Sequence, residues 1–416
     1  MRIALMTNNY KPFMGGVPIS VERLKKGLEK LGHEVTVFAP TYENQIEEKG
    51  VFRYRTLFPK IIGGIVLPNP FDRQIEKEFR KNTYDIIHVH HPVLIGNTAV
   101  YLAKKYKIPL VFTYHTRYEQ YMLSYVDFIK RLNVQTNQGI EKKLFPLYLN
   151  SFLRHCNHIF APTPGMKDYL QDICKVAPDK VSVLPTGINL SAYTMQEAAM
   201  QEVRRRYQAQ DCPLFLSVSR MANEKNVSFL LKGIARVKEQ YTGKFKVLLV
   251  GDGPERGTFS NLCRKLQITN EVIFTGQISN EELTPYFAAA DAFLFASKTE
   301  TQGIVILEAF AGKTPVYAVK ASGVSDLVRD GWNGRLCEED VDAFARQLLP
   351  VLQGREDIKG LGENAYETAL TFGEDAVALK AVQQYNRVIV ATAQEYIRKS
   401  DYYNGKQQIS YFNCGR

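Results

Sequence analysis

The segment that decides the fold reads AFLFASKTETQGIVILEAFAG over residues 292–312. Its first five residues are an apolar run typical of a buried strand, and Val305–Ala311 has the pattern of a helix. A polar loop containing one glycine joins the two. Because strand, loop and helix in this order form the repeating unit of a parallel sheet, the segment predicts a doubly wound α/β fold.

The same alternation occurs on both sides of this segment. In the first half, strands are predicted at Arg2–Thr7, Glu34–Ala39, Ile86–His90, Leu110–Tyr114, His158–Pro162 and Val181–Pro185, with helices at Ile19–Leu31 and Gly96–Tyr106. In the second half, the further strands are Leu214–Val218, Lys246–Val250, Val272–Thr275 and Pro315–Val319, and the further helices are Val227–Glu239, Gly257–Leu266 and Glu281–Ala289. The pattern predicts two Rossmann-like domains, with a boundary in the polar stretch 189–210, and one or two helices at Asp375–Lys399.

Composition and charge indicate a folded protein, the redox state of its compartment and the charge of its partners. The 416 residues are 45% hydrophobic, which excludes a disordered chain, and six cysteines without a C-x-x-C spacing indicate a reducing compartment and no zinc site. The net charge of +10 lies entirely within residues 1–190. A basic surface on that half predicts a polyanion or an anionic membrane nearby. No stretch is long and apolar enough to span a bilayer, so we expect a soluble or peripheral protein.

Charged residues at the ends of strands in the second half predict a diphosphate pocket. Arg220 and Lys225 follow the strand Leu214–Val218, where two cations can converge on phosphates. Gly303 and Ile304 lie at a predicted helix N-terminus, whose amides favour anions. Two carboxylates accompany them: Glu300 precedes that helix and Glu308 lies about two turns inside it, and they can bind a sugar and a ribose.

Three further patterns leave alternatives open. The pair Gly15-Gly16 before a helix either approaches a phosphate or makes a tight turn. The run Gly251-x-Gly253-x3-Gly257 resembles a dinucleotide fingerprint, but its last glycine is one residue late, which favours a strand-to-helix turn. The triplet Asp340-Val341-Asp342 could bind Mg²⁺, although its place before a helix favours capping.

Taken together, Arg220-x4-Lys225, Gly251-Asp252-Gly253-Pro254-Glu255 and Glu300-x7-Glu308 followed by AFAG resemble the retaining family 4 glycosyltransferases of the GT-B fold. The resemblance runs from the first strand to about Gly334. It implies two doubly wound domains that face a cleft: an acceptor-binding, membrane-facing domain at 1–190 and a nucleotide-sugar domain at 191–383. It also implies a C-terminal helix, about 384–416, that crosses back to the first domain.

The resemblance also implies a role for each site residue. Arg220 and Lys225 would bind the donor diphosphate, and Glu300 and Glu308 would bind the transferred sugar and the ribose. Gly303 and Ile304 would offer amides to phosphate or sugar, and Gly15 and Gly16 would approach the phosphates from the other domain. His115 matches the family's active-site histidine and would orient sugar or acceptor; the neighbouring His88, His90 and His91 either join it or are structural.

The implied reaction is a retaining transfer by attack on the face that the diphosphate leaves, with no cofactor and no metal. The cations would stabilise the leaving diphosphate as its charge grows. Arg220, Lys225, His115 and Glu300 are therefore the predicted catalytic residues.

Two stretches, Thr116–Tyr121 and Ser297–Gly303, are similar to bacterial diacylglycerol glucosyltransferases. This similarity implies a UDP-sugar donor, a diacylglycerol or other lipid acceptor, and a peripheral position on the cytoplasmic face of an anionic membrane. Asp127–His155, which mixes cations with aromatic residues, could lie in lipid headgroups or pack on the sheet, and the loop Phe58–Phe71 is a second membrane candidate.

The sequence is also compatible with other functions. Within the family, the acceptor could be a polyprenyl-linked or soluble sugar. The same fold serves sugar-nucleotide epimerases, which Glu300-x7-Glu308 argues against, and a non-catalytic binder would not need the two cations. Nothing in the sequence predicts a nucleic-acid partner.

Overall fold

The computed structural model describes residues 1–13, 15–58, 66–116, 138–193, 197–298 and 300–413, with the side chains of 138–145 and 399–413 excepted. Packing divides the chain into two compact units. The first comprises 1–161, 167–184 and 377–416, and the second comprises 162–166 and 185–376. The chain therefore passes from the first unit into the second at residues 184–185 and returns at 376–377.

A seven-stranded parallel sheet forms the first unit, in the order β3-β2-β1-β6-β7-β8-β9. Its strands are β1 (Arg2–Met6), β2 (Glu34–Pro40), β3 (Val51–Tyr54), β6 (Ile86–Val89), β7 (Leu110–Thr113), β8 (His158–Ala161) and β9 (Val181–Val183), while β4 (Thr56–Phe58) and β5 (Leu67–Pro68) pair as a separate antiparallel ladder. The central strands are buried along nearly their whole length. Continuous burial is what a parallel sheet covered on both faces requires.

Helices cover this sheet on both faces, and the last one comes from the end of the chain. They are α1 (Gly16–Lys30), α2 (Arg73–Lys81), α3 (Ile95–Tyr106), α4 (Gln138–His155), α5 (Pro164–Asp172) and α13 (Glu374–Asn413). From α13, Val377, Ala381 and Tyr385 pack in the same core as Ile3 and Leu5 of β1. The C-terminal helix thus completes the first unit, as the resemblance implied.

The second unit is built on a six-stranded parallel sheet in the order β12-β11-β10-β13-β14-β15. The strands are β10 (Leu214–Val218), β11 (Lys246–Val250), β12 (Val272–Gly276), β13 (Ala292–Phe295), β14 (Val316–Val319) and β15 (Gly334–Cys337), and the helices are α6 (Glu197–Arg206), α7 (Val227–Gln240), α8 (Arg256–Lys265), α9 (Asn280–Ala289), α10 (Ile304–Ala311), α11 (Val341–Leu352) and α12 (Ile358–Leu370). Short 3₁₀ turns of this unit lie at Leu190–Tyr193 and Asn223–Lys225, and one of the first unit lies at Pro178–Lys180. The two doubly wound parallel sheets confirm the predicted fold class.

Several predicted features fall outside the described residues or differ from the structure. Residues 59–65, 117–137 and 414–416 are not described. Most of Thr116–Tyr121, the start of Asp127–His155 and the middle of Phe58–Phe71 therefore lie outside the described residues. The strands β3 and β15 were not predicted, because each is short and only partly buried and so lacks a clear apolar run. The segment predicted as one or two helices at Asp375–Lys399 is a single helix, α13.

Candidate active site

Two of the predicted catalytic residues meet in the second unit. Lys225 ends the short 3₁₀ turn that follows β10, and Glu300 lies in the loop between β13 and α10. The ammonium group of Lys225 donates to Oε1 of Glu300, and their side chains are 24% and 19% exposed. Because β10 and β13 are neighbours in a parallel sheet, their carboxyl ends bring the two loops together.

Arg220, the other predicted cation, is more exposed and has a different carboxylate partner. Its Nη2 atom donates to Oε1 of Glu224 at 2.5 Å, and the Arg220 side chain is 57% exposed. Partial burial acts to raise the pKa of Glu224, but hydrogen bonds, foremost that from Arg220, bring this pKa below its usual value. Arg220 is therefore held beside the Lys225 turn by a residue that the sequence had not singled out.

The glycines of the pattern Gly251-x-Gly253 allow two loops to lie against each other. A Cβ on Gly251 would come 2.0 Å from the carbonyl oxygen of Ser219, and one on Gly253 would come 2.4 Å from that of Met221. Backbone hydrogen bonds join the same loops. The N–H of Ser219 donates to the carbonyl of Val250 at 3.0 Å, and the N–H of Met221 donates to the carbonyl of Asp252 at 2.9 Å. The pattern is a tight turn, as favoured, and it supports the loop that carries Arg220.

The start of α10 has the geometry expected of an anion-binding helix end. Gly303 has φ 73°, a left-handed conformation that favours glycine, and α10 begins at Ile304. No side chain caps this end by a hydrogen bond. Glu308 lies on the same helix and is half-buried. The loop before α10 and α10 itself thus carry Glu300, Gly303, Ile304 and Glu308. Of these four residues, Glu300 contacts Lys225.

The acidic run before α11 has two separate structural roles. Asp340 caps this helix, because its Oδ1 accepts from the backbone N–H of Ala343 at 2.7 Å, and the capping interpretation is confirmed. Glu339 contacts the ammonium of Lys298 and accepts from Nδ2 of Asn226 at 2.7 Å. Since Asn226 follows Lys225 and Lys298 lies two residues before Glu300, Glu339 connects the two site loops.

In the first unit, Gly15 and Gly16 follow β1 and His115 follows β7, and β6 lies between these two strands in the sheet. Gly15 has an extended backbone and precedes α1, which begins at Gly16 after β1. The Asn8 side chain, in the same β1–α1 loop, donates to the carbonyl of Val93 at 3.0 Å and accepts from the N–H of Ile95 at 3.2 Å. The glycine pair therefore belongs to a loop that is tied to the start of α3.

His115 is half-buried and continues a row of imidazoles, His88 and His90, that are themselves fully buried. Its Nε2 lies 2.8 Å from Nδ1 of His90, and the rings of His90 and His88 stack at 4.3 Å. His88 in turn makes hydrogen bonds at 2.6 Å with the Tyr385 hydroxyl of α13 and with the Thr113 hydroxyl. His88 and His90 are thus part of the core. His115 lies just beyond the carboxyl end of β7.

Burial keeps these imidazoles neutral. It lowers the pKa of His88 to about 3, with a smaller contribution from His158, and lowers the pKa of His91 to about 3. Burial, followed by the neighbouring imidazoles, places the pKa values of His90 and His115 well below the ordinary value. At neutral pH His115 can therefore donate or accept a hydrogen bond, but it carries no positive charge.

The described part of the predicted membrane segment Asp127–His155 packs partly inside the protein. Leu149, Phe152 and Leu153 of α4 are each 3% exposed, and Phe152 meets Phe112 of β7 edge-on. These apolar side chains cover the sheet, so the described part of this segment follows the second of the two predicted alternatives, packing on the sheet. Leu147 on the same helix is 64% exposed.

Among the described residues, no group of three or more His, Cys, Asp or Glu side chains is arranged to hold a metal ion. None of the helices in the described ranges combines the length and apolar character needed to cross a bilayer.

Comparisons with known proteins assign the family. Residues 14–192 match the model of Glycosyltransferase Family 4, and residues 200–368 match that of Glycosyl transferases group 1. An alpha-monoglucosyldiacylglycerol synthase of Streptococcus pneumoniae is 32% identical over 90% of this chain and 84% of its own. The chain belongs to glycosyltransferase family 4. As a member of this family, it is an enzyme that transfers hexose units, as the motifs predicted.

Other relatives of this family 4 glycosyltransferase carry different names. An alpha-monoglucosyldiacylglycerol synthase of Acholeplasma laidlawii is 28% identical over 91% of this chain and 95% of that protein. An N-acetyl-alpha-D-glucosaminyl L-malate synthase of Bacillus anthracis is 25% identical over 91% of this chain and 94% of that protein. The relatives therefore include proteins named for a lipid product and a protein named for a malate product.

Solved structures confirm the GT-B fold of this family 4 glycosyltransferase. Sucrose-phosphate synthase from Thermosynechococcus elongatus matches with a TM-score of 0.75 at 23% identity, over 94% of this chain and 99% of that one. The Anabaena protein HepE, in complex with UDP-glucose, matches with a TM-score of 0.69 at 17% identity, over 94% of this chain and 100% of that one.

Proposed function

We propose that this enzyme transfers glucose from UDP-glucose to diacylglycerol with retention, which forms an α-monoglycosyl-diacylglycerol. The observation that carries the proposal is the contact between Lys225 and Glu300 beside the amide end of α10. A cation for diphosphate, amides for anionic oxygen and a carboxylate for sugar hydroxyls are the groups a nucleotide-sugar needs. The identity to the pneumococcal synthase supports glucose and diacylglycerol, and the HepE complex supports UDP.

In the proposed reaction, the bond from the anomeric carbon to the diphosphate oxygen breaks while the acceptor oxygen attacks from the same face. The acceptor proton passes to the leaving diphosphate oxygen, so that no separate base is required. Lys225 and Arg220 stabilise the charge that grows on the diphosphate. Glu300 binds the sugar, Glu308 the ribose, and the neutral His115 orients sugar or acceptor by a hydrogen bond.

The lipid acceptor requires a membrane-facing surface, which we place around the β4–β5 ladder. Leu57, Phe58 and Phe71 are 52%, 62% and 86% exposed, and Arg55 and Arg73 lie close to them in the chain. Exposed aromatic and aliphatic side chains next to cations suit an anionic headgroup layer. We therefore propose a peripheral position on the cytoplasmic face of the membrane.

The deciding experiment supplies labelled UDP-glucose and diacylglycerol in vesicles with and without anionic lipid. We expect glycolipid with an α linkage by NMR, formed faster on anionic vesicles. A β-linked product would refute retention. Rapid transfer to malate or a soluble sugar, with no dependence on vesicles, would refute the lipid acceptor and favour a function like that of the Bacillus relative's name.

The same assay tests the proposed independence from metals. The proposed mechanism assigns the stabilisation of diphosphate to Lys225 and Arg220, and so we expect the rate to be unchanged after incubation with EDTA. A large loss that Mg²⁺ or Mn²⁺ restores would overturn this part of the proposal.

A further inference from the structure

Gln302 lies between Glu300 and the helix end at Gly303, but its side chain points away from solvent. It is only 3% exposed. In the sequence it is one polar residue within a polar loop, and no motif gives it a function. Its contacts in the structure are with the backbone of a different segment, Pro185–Ile188, where the chain enters the second unit.

The side-chain amide of Gln302 pairs with both polar backbone groups of Thr186. The N–H of Thr186 donates to Oε1 of Gln302 at 2.7 Å, and Nε2 of Gln302 donates to the carbonyl of Thr186 at 3.2 Å. Thr186 is itself 6% exposed. Since neither residue has ready access to water, loss of the amide would leave two buried backbone groups with lost hydrogen bonds.

The segment that holds Gln302 is itself anchored. Ile188 donates from its backbone N–H to Phe372 at 2.8 Å, and its carbonyl accepts from Glu374 at 3.1 Å. Thr186 therefore belongs to a segment joined to a second one, 372–374, by backbone hydrogen bonds. An anchor of this kind moves less than a free loop would.

On its other side, the Gln302 loop lies against the backbone of residue 323. Gly323 has φ 79°, and a Cβ there would come 2.6 Å from the carbonyl oxygen of Glu300. The loop from Glu300 to Gly303 is thus held between the Thr186 segment and the Gly323 turn. The position of the Glu300 carboxylate and of the first α10 amides depends on both contacts.

From this geometry we infer that Gln302 is a positioning residue for the donor sugar, acting through Glu300 and the start of α10. It touches no substrate in this scheme. The inference rests on the proposed donor site but not on the lipid acceptor. It predicts that Gln302 affects nucleotide-sugar binding and the rate of transfer, and leaves acceptor affinity unchanged.

The test compares Gln302→Leu with a matched variant, Asn333→Leu. Asn333 is also a buried amide of the second unit, 1% exposed, that bonds to two backbone groups: it accepts from Arg329 at 2.8 Å and donates to Leu327 at 3.0 Å. Both variants should lower thermal stability. Only Gln302→Leu should weaken UDP-glucose binding in calorimetry, by about tenfold, and lower kcat, because a small displacement of groups around a reacting centre is costly.

A second measurement separates positioning from general destabilisation. If Gln302 acts through Glu300, the loss caused by Gln302→Leu should shrink when Glu300→Gln is already present, since coupled residues are not additive. Acceptor KM should match wild type in all variants. Equal UDP-glucose affinities for wild type and Gln302→Leu would overturn the inference, as would an equal loss in Asn333→Leu.

Calorimetry needs no acceptor, so the two proposals can fail separately. A wild-type enzyme that binds UDP-glucose but makes no glycolipid would refute the lipid acceptor and leave the role of Gln302 to be decided by its variant. A wild-type enzyme that binds no nucleotide-sugar would overturn both.

Discussion

At the scale of single residues, the contact between Lys225 and Glu300 joins the two kinds of group that the proposed donor site needs. Each fixes the position of the other, and their opposite charges make it less costly to hold both at about one-fifth exposure. A substitution of either residue therefore changes the position of its partner as well as removing a group that the proposed donor site needs.

The first prediction concerns the cations. Lys225→Ala should lower kcat by about a hundredfold or more, because it removes positive charge where negative charge grows in the transition state, and Arg220→Ala should act in the same direction. Steady-state kinetics on the lipid vesicles measures the effect. Lys313→Ala is the control, since Lys313 forms an exposed ion pair with Glu363 at 2.9 Å outside the site loops. An active double variant would refute the assignment.

The second prediction concerns acid stability and His88. The pKa of His88 is about 3 in the folded state against 6.5 for an unperturbed histidine, so below pH 6.5 the unfolded chain binds a proton that the folded chain cannot. Stability is therefore lost progressively between pH 6.5 and about 3. At pH 5 the loss is about 2 kcal/mol from this residue.

His88→Gln retains a donor and an acceptor but does not titrate. Its loss of stability from pH 7 to pH 5 should be smaller than that of wild type by about 2 kcal/mol. Hydrogen exchange of peptides from Ile86–Val89, corrected for the intrinsic rate at each pH, reports the stability of the first unit. Identical pH dependence in the two proteins would show that His88 does not carry the effect.

At the scale of elements, α13 is attached to the first sheet by an apolar face and by polar contacts, among them the buried hydrogen bond between Tyr385 and His88. Val377, Ala381 and Tyr385 fill the core, and the Tyr385 hydroxyl reaches His88 on β6. Apolar packing explains why the helix binds to the sheet, and the buried hydrogen bond favours one register along it.

The third prediction tests that contact. Tyr385→Phe keeps the ring but leaves the His88 nitrogen without the hydroxyl, and it should destabilise the first unit by about 1–3 kcal/mol. Faster hydrogen exchange in α13 and in β6 is the expected signature. Tyr396→Phe is the control on the same helix, because Tyr396 is 43% exposed. Equal exchange in wild type and Tyr385→Phe would contradict the role of the hydroxyl.

At the scale of the whole molecule, the excess of positive charge lies in residues 1–190, whereas residues 191–416 are electrically balanced. The proposed diphosphate site lies in the balanced half, where Lys225 and Arg220 are both paired with glutamates. Net charge therefore says little about donor binding. It bears on where the enzyme works, because long-range attraction to an anionic surface depends on total charge.

The fourth prediction concerns membrane attachment. Phe58→Ser and Phe71→Ser should each weaken binding to anionic vesicles by roughly tenfold, because each removes an apolar side chain that would be buried in lipid. Co-sedimentation measures the binding, which should also fall as salt is added. Ile46→Ser is the control, since Ile46 is 84% exposed in the same unit. Binding that is unaffected by either Phe variant would place the docking surface elsewhere.

The sequence predicted the central strands well because continuous apolar runs are strong signals. It predicted Arg220 and Lys225 as a pair but could not show that each meets a glutamate, since Glu224 and Glu300 are brought there by the sheet. Glu339 and Gln302 escaped notice because their partners, Lys298 and Thr186, are distant in the chain. For Asp127–His155 the sequence left two alternatives, because an amphipathic pattern does not say whether lipid or a sheet covers a residue such as Phe152.

The return of α13 to the first unit has a consequence for biosynthesis. The ribosome completes β1 to β9 early, yet the core around Ile3 and Leu5 lacks Val377, Ala381 and Tyr385 until the end of the chain is translated. The second unit, continuous from 185 to 376 apart from a short earlier segment, has nearly all its residues sooner. The half that is made first is thus finished last, and during that interval its uncovered apolar face is exposed to chaperones and aggregation.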